Sequence, residues 1–214
     1  MDNSELEKFK TETKEEISQL NYRKYFYQYN EDEKLMFIDE LKKTEIFFRS
    51  FFNMRIYPVY GTMLGMIREN DFIGHDTDID MAYMSNCHTE EEVIDEYYKI
   101  CKDLSRFGML MKNHEPISHF HCYSPSRKMR FDMWLSWFDK NGKYYMPYIF
   151  DGEFDKKLIL PFKNIKFKDQ DFTMINDAET FLKYCYGPDW KKPKSKNWRI
   201  RKYIFRLGAK KNVN

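Results

Sequence analysis

The sequence predicts an α/β (α+β) domain, a mixed sheet flanked by helices with further helical segments at both ends. Three observations predict it. Stretches of helical periodicity alternate with short β-rich runs, capping residues and glycine stops punctuate them, and residues 76–84 alternate carboxylate with apolar side chain. A chain of 214 residues fits one large domain, and 42% hydrophobic residues allow a sizeable core and argue against wholesale disorder.

The elements follow in order. Ser4 with Glu7 forms the signature of a capping box for a first, mostly polar helix. Asn30 with Glu33 starts a second, whose Leu35, Ile38, Leu41, Phe48 and Phe52 fall near helical spacing and face the core. Residues 55–60 are β-rich, with Pro58 pointing to an edge or irregular strand. Gly61-Thr62 then opens a helical stretch, and the strand at 76–84 follows. Thr89 with Glu92 caps a helix running to about Phe107, where Gly108 ends it. Strands are expected at 109–113, 119–123 and 128–138, with Asn141-Gly142 as a hairpin turn. A second short hairpin is expected at 165–167 and 171–175, and Asp177 caps a helix that ends at Tyr186 before Gly187-Pro188. The organisation reads as a helical segment over 1–54 packed on the core, a central α/β domain over 55–190 and a basic aromatic tail over 191–214.

Net charge is only +2, yet no acidic residue follows Asp189 while lysines and arginines crowd in with Trp198, Tyr203 and Phe205 between them. Such a tail suits an anionic membrane surface or glycan, and equally a solvated terminal helix. Nucleic acid is a poorer partner, because the rest of the chain carries no basic surplus. Four cysteines without a CxxC pair, a charged N-terminus and no long apolar run lead to a cytoplasmic expectation, with the tail as a route to peripheral membrane contact.

The chemistry concentrates between Tyr60 and Met84. On a strand, side chains at i, i+2 and i+4 share a face, so Asp76, Asp78 and Asp80 would converge. Like charges so close are costly without a cation, and Mg²⁺ (or Mn²⁺ in its place) is the expected one because it takes hard oxygen ligands and leaves positions for phosphates. In Lys128-Met129-Arg130-Phe131-Asp132-Met133-Trp134-Leu135, Arg130, Asp132 and Trp134 share one face and the apolar residues the other. Asp132 would complete a three-carboxylate site, with Arg130 gripping a phosphate or simply pairing with Asp132 on the surface. Gly61-Thr62 at a helix start offers backbone N–H groups and a hydroxyl to an anion. His114, His119, His121 and Cys122 invite a zinc proposal. On a strand at 119–123, however, the two histidines share a face and Cys122 points away, so substrate contact or plain strand histidines are the simpler readings. Trp134, Trp137, Tyr144, Tyr145 and Tyr148 suit a sugar-stacking wall, with core packing as the default for most.

Gly61-Thr62-Met63-Leu64-Gly65-Met66-Ile67-Arg68, then Phe72-Ile73, then Asp76-Thr77-Asp78-Ile79-Asp80 resembles the signature of the LicD/fukutin family. Arg130-Phe131-Asp132, Leu160-Pro161 and the ending Tyr186-Gly187-Pro188-Asp189-Trp190 resemble its later landmarks, so the likeness spans about 56–190. It implies a nucleotidyltransferase-like fold and transfer of a substituted phosphate (phosphocholine or a polyol phosphate) from a CDP-activated donor to a glycan or glycolipid. By resemblance Asp78 and Asp80 are the metal pair, Asp132 is the third acid, and Gly61 and Thr62 face the phosphates. Asp76 and Arg68 occupy family positions. Gly74-His75 replaces the usual Pro-Trp, so His75 would shape the donor pocket differently. The alternatives are an NTP-dependent nucleotidyltransferase and a catalytically inactive member that binds glycan or membrane.

Overall fold

A computed structural model describes residues 24–114, 118–146 and 150–193. The Ser4 capping signal, Tyr148 and the tail from 194 onward lie outside them. A 3₁₀ turn at Phe26–Gln28 precedes helix α1, Glu31–Phe51. At the helix start Asn30 Oδ1 accepts from the Glu33 N–H, and the Glu33 carboxylate accepts from the Asn30 N–H, each at 2.9 Å. The buried stripe of α1 is Phe37, Ile38, Leu41 and Phe48. Leu35, expected on that stripe, is 48% exposed. At about 100° per residue it stands some 120° around the helix from Leu41, and Phe37 fills the inner position instead.

The main sheet runs β1 (Ile56–Pro58), β2 (Asp80–Met84), β5 (Arg130–Phe138), β4 (His119–Tyr123), β3 (Leu110–Asn113). Only β2 and β5 are parallel; the other neighbours are antiparallel. The far end of β5 turns through Asn141-Gly142 into β6 (Lys143–Met146), which pairs with β7 (Phe150–Asp155). Asp139 Oδ1 accepts from the N–H groups of Asn141 and Lys143, and Gly142 takes φ +77°, which is why the turn needs a glycine. β7 and the short α4, Lys156–Ile159, had no clear sequence signal. The second hairpin is β8 (Lys163–Phe167) with β9 (Gln170–Met174), and it forms a separate two-stranded sheet.

Helix α2, Tyr60–Leu64, follows β1 and passes into a π-helical turn at Gly65–Glu69. Helix α3, Glu90–Arg106, carries the expected Thr89/Glu92 capping box and ends at Gly108, φ +65°. Helix α5, Ala178–Tyr186, is capped by Asp177 and stopped by Gly187, φ +89°. Among the described residues no helix is long and apolar enough to cross a membrane.

One expectation needs correction. The strand predicted over 76–84 begins only at Asp80. Before it the backbone spends its polar groups locally: the Asp76 N–H donates to Ile73 O at 2.8 Å, and the Thr77 N–H donates to Asp76 Oδ1 at 3.1 Å. The carbonyl of Asp76 accepts from the Phe26 N–H at 2.9 Å, so the 3₁₀ turn occupies the place of a neighbouring strand. Asp76 and Asp78 are therefore presented by an irregular approach to β2, not by its ladder.

Candidate active site

The first turn of α2 sets where Asp80 stands. Thr62 Oγ1 accepts from the Asp80 N–H at 2.8 Å, and Asp80 O accepts from the Val59 N–H at 3.1 Å. The hydroxyl expected to face phosphate thus has a structural duty first, holding the backbone of an acid. Gly61 and Thr62 are both buried in that turn. Further along, a Cβ on Gly65 would stand 2.5 Å from the Asp71 carbonyl oxygen, so only glycine lets the loop toward Asp76 pass so close. Tyr60 adopts φ +46°, a backbone conformation rare for a bulky residue. Its ring meets Trp134 edge-on at 5.2 Å, and its hydroxyl donates to Met146 Sδ at 2.7 Å, which hold it there.

Strand register brings the acids together. Asp80 on β2 lies directly beside Asp132 on β5. Both are only 8% exposed, Asp76 is 5% exposed, and Asp78 is half-buried. Burial pushes the Asp80 carboxyl well above the usual carboxylate range, and the charges of Asp78, Asp132 and Asp76 push it further. The indole N–H of Trp134 donates to Asp80 Oδ1 at 3.0 Å and opposes that shift. Four carboxylates therefore act on one another around the start of β2, although Asp76 and Asp78 reach the cluster from the loop.

The next strand adds groups that sequence reasoning did not connect to the acids. β4 pairs with β5 so that His121 stands opposite Asp132 and His119 opposite Trp134. His121 Nδ1 hydrogen-bonds Asp132 Oδ1, so the partner of Asp132 is this histidine. His119 stacks on the Trp134 ring at 4.4 Å, and His114 stacks on His119 at 4.1 Å. Burial, with the neighbouring His114 next in weight, pushes His119 down to about 4, and burial with His121 beside it lowers His114. The usable signal was present: Asp132 and Trp134 on one strand face, His119 and His121 on one face of another. The missing link was the register.

The donor set suits a hard divalent cation. Buried carboxylates must be neutralised by a proton, a partner or a metal, and the shift at Asp80 shows that its indole partner alone does not suffice. The domain family described as LicD/FKTN/FKRP, nucleotidyltransferase domain, matches residues 53–175, more than half of the sequence. The chain belongs to this family.

The LicD/FKTN/FKRP match includes every acid of the cluster together with Gly61, Thr62, Arg68, His75 and Arg130, and membership makes the chain a transferase. One solved structure similar to it is ANT(2")-Ia in complex with adenylyl-2"-tobramycin. The two share 14% identity over 84% of this chain and 92% of that chain, with a TM-score of 0.43. No curated protein matches. The nucleotidyltransferase fold of this LicD/FKTN/FKRP member thus rests on the family match and on the mixed sheet carrying paired acids.

The remaining expected site residues divide. Arg130 stands at the start of β5, two residues from Asp132 and on the same face of the strand. His75 is exposed on the loop beside Asp76. Arg68 instead reaches the C-terminal end of the domain, donating from Nη1 to the Trp190 carbonyl at 3.0 Å and from Nε to Glu69 at 2.6 Å. That contact joins the helical stretch that begins at Tyr60 to the turn that follows Gly187. Of the proposed aromatic wall, Trp134 serves Asp80, Tyr144 is fully buried, and Trp137 stacks on Tyr145 at 5.1 Å.

Proposed function

We propose that this chain is a phosphotransferase that moves a substituted phosphate group, phosphocholine-like or polyol phosphate, from a CDP-activated donor to a hydroxyl of a glycan or glycolipid. The observation that carries the proposal is the crowding of Asp76, Asp78 and Asp132 around a buried Asp80 whose carboxyl cannot ionise cheaply without a cation. Asp78, Asp80 and Asp132 would hold Mg²⁺, or Mn²⁺ in its place. Such an ion, when bound, neutralises the donor diphosphate and the charge developing on the leaving nucleotide.

The chain's own groups do the rest. Thr62 and Trp134 hold Asp80 in place from backbone and side chain. Gly61 and Thr62 lie in the turn that would face the donor phosphates, Arg130 would grip a phosphate oxygen, and His75 would border the donor pocket. The acceptor hydroxyl oxygen bonds to the transferred phosphorus in line as the bond to the CMP oxygen breaks. Its proton passes to Asp132 or Asp76, the buried acids nearest in role to a base. Arg68 acts at one remove, by anchoring the Trp190 turn. The basic tail would bring the enzyme to the anionic surface where a glycolipid acceptor resides.

The test is an assay of released product. The protein is incubated with Mg²⁺, a glycan acceptor and each of CDP-choline, CDP-ribitol, CDP-glycerol and CDP-ethanolamine, and separately with CTP and a phosphate ester. The proposal expects CMP from one of the CDP-alcohols and its loss by at least ~100-fold in Asp80→Asn, the scale of removing one electrostatic stabiliser. Pyrophosphate from CTP, with no CMP from any CDP-alcohol, would replace it with an NTP-dependent nucleotidyltransferase.

A further inference from the structure

A second metal site, for a borderline divalent ion of the Zn²⁺ class, lies beside the carboxylate cluster: we infer that His114, His119 and His121 form it through their Nε2 atoms. The three histidines each offer a ring nitrogen, and these nitrogens lie within 4.8 Å of one another. They come from the end of β3 and from alternate positions of β4, so two share a strand face and the third arrives from the adjacent strand. The His114 N–H donates to the His119 carbonyl at 3.2 Å, which fixes the spacing between those two.

The hydrogen bonds decide which nitrogens are offered. His121 Nδ1 is taken by Asp132 and His119 Nδ1 by Ser118 Oγ at 2.9 Å, which leaves Nε2 of each for a ligand. On His114 the Nε2 atom is buried and has no hydrogen-bond partner among the described residues. A buried imidazole nitrogen without a partner calls for an explanation, and a metal is one that also accounts for its two neighbours. Metal-bound histidines characteristically give their second nitrogen to a carboxylate or hydroxyl, which sets the ring's orientation and raises its basicity. Asp132 and Ser118 stand in those places.

Imidazole donors select zinc-like ions over Mg²⁺, which prefers oxygen, so the histidines and the acids would sort two different cations. Tetrahedral zinc at about 2.1 Å from nitrogen requires the donors to close to roughly 3.4 Å of one another. It also requires His114 to turn out of its stack on His119, since parallel rings 4.1 Å apart cannot aim both lone pairs at one ion. The fourth position stays open to water or a substrate group. Cys122, which the sequence placed nearby, is buried on the other side of β4 and takes no part. The third donor is His114.

The test uses the full chain stripped with EDTA, then dialysed against Zn²⁺ in the presence of millimolar Mg²⁺, with bound zinc counted by mass spectrometry. Co²⁺ substitution is followed by its visible absorption. One equivalent of zinc is expected in the wild type and in Asp80→Asn. His114→Gln and His119→Gln, each checked for folding by circular dichroism, should bind at least ~10-fold more weakly, the low end of what losing a ligand-shell group costs. Zinc binding lost in Asp80→Asn but kept in both histidine variants would place the ion on the acids and overturn the inference. Less than half an equivalent in the wild type would also overturn it. Neither result bears on the carboxylate cluster as a Mg²⁺ and nucleotide site, which the histidine variants leave with all four acids.

Discussion

Asp80 is the residue on which the chemistry and the cost of this fold meet. Its folded-state carboxyl is raised, so the folded protein holds the proton more tightly than the unfolded chain. That contribution to stability is complete below the unfolded-state value and is lost as pH rises through the folded one. Without a divalent ion, Asp80→Asn should therefore melt higher than the wild type at neutral pH, since asparagine still accepts from the Trp134 indole and brings no charge. A gain of about 1 kcal/mol corresponds to roughly 2–4 °C for a chain of this size. The gain should shrink as pH falls, and added Mg²⁺ should raise only the wild-type Tm. A variant that melts lower at every pH would mean the acids are not in conflict. Residue types marked Asp78, Asp80 and Asp132 as candidates in the sequence, but the strand spacing used to join Asp78 to Asp80 does not hold, because β2 begins at Asp80. The bonds of Thr62 and Trp134 to Asp80 and of His121 to Asp132 were not legible there, because each joins segments more than ten residues apart.

At the scale of elements, α1 is tied to the turn between β4 and β5 by a buried acid. Glu40 is fully buried and accepts from Ser124 Oγ at 2.6 Å, from Ser126 Oγ and from Lys43 Nζ at 2.9 Å. Burial works against ionisation, but these hydrogen bonds outweigh it and hold the carboxyl below its ordinary value. The resulting stability is present above the unfolded-state value and is lost as pH falls through the depressed one. Glu40→Gln should cost about 2 kcal/mol at pH 7, in the range for hydrogen bonds to a charged group, and the difference from wild type should narrow below about pH 4. Urea unfolding at several pH values measures it. The caps at Asn30, Thr89 and Asp177 and the stops at Gly108 and Gly187 were readable from the sequence because capping is local chemistry. Strand β2 was read too long, because the 3₁₀ turn around Phe26 takes up the Asp76 carbonyl. β7 and α4 went unread, since neither has a periodic pattern long enough to register.

Across the whole molecule, one mixed sheet presents its acids and histidines in a row over three neighbouring strands, β2, β5 and β4. The fold class was legible from alternating helix and strand signals, whereas strand order, which creates that row, depends on long-range pairing that no local pattern encodes. The central claim is that the row binds a nucleotide through a divalent cation, and calorimetry with CDP tests it most directly. Wild-type protein should bind CDP only when Mg²⁺ or Mn²⁺ is present, with the signal lost in EDTA and in Asp80→Asn. A wild-type protein that takes up no CDP at any Mg²⁺ concentration, or takes it up equally well in EDTA, would rule that claim out.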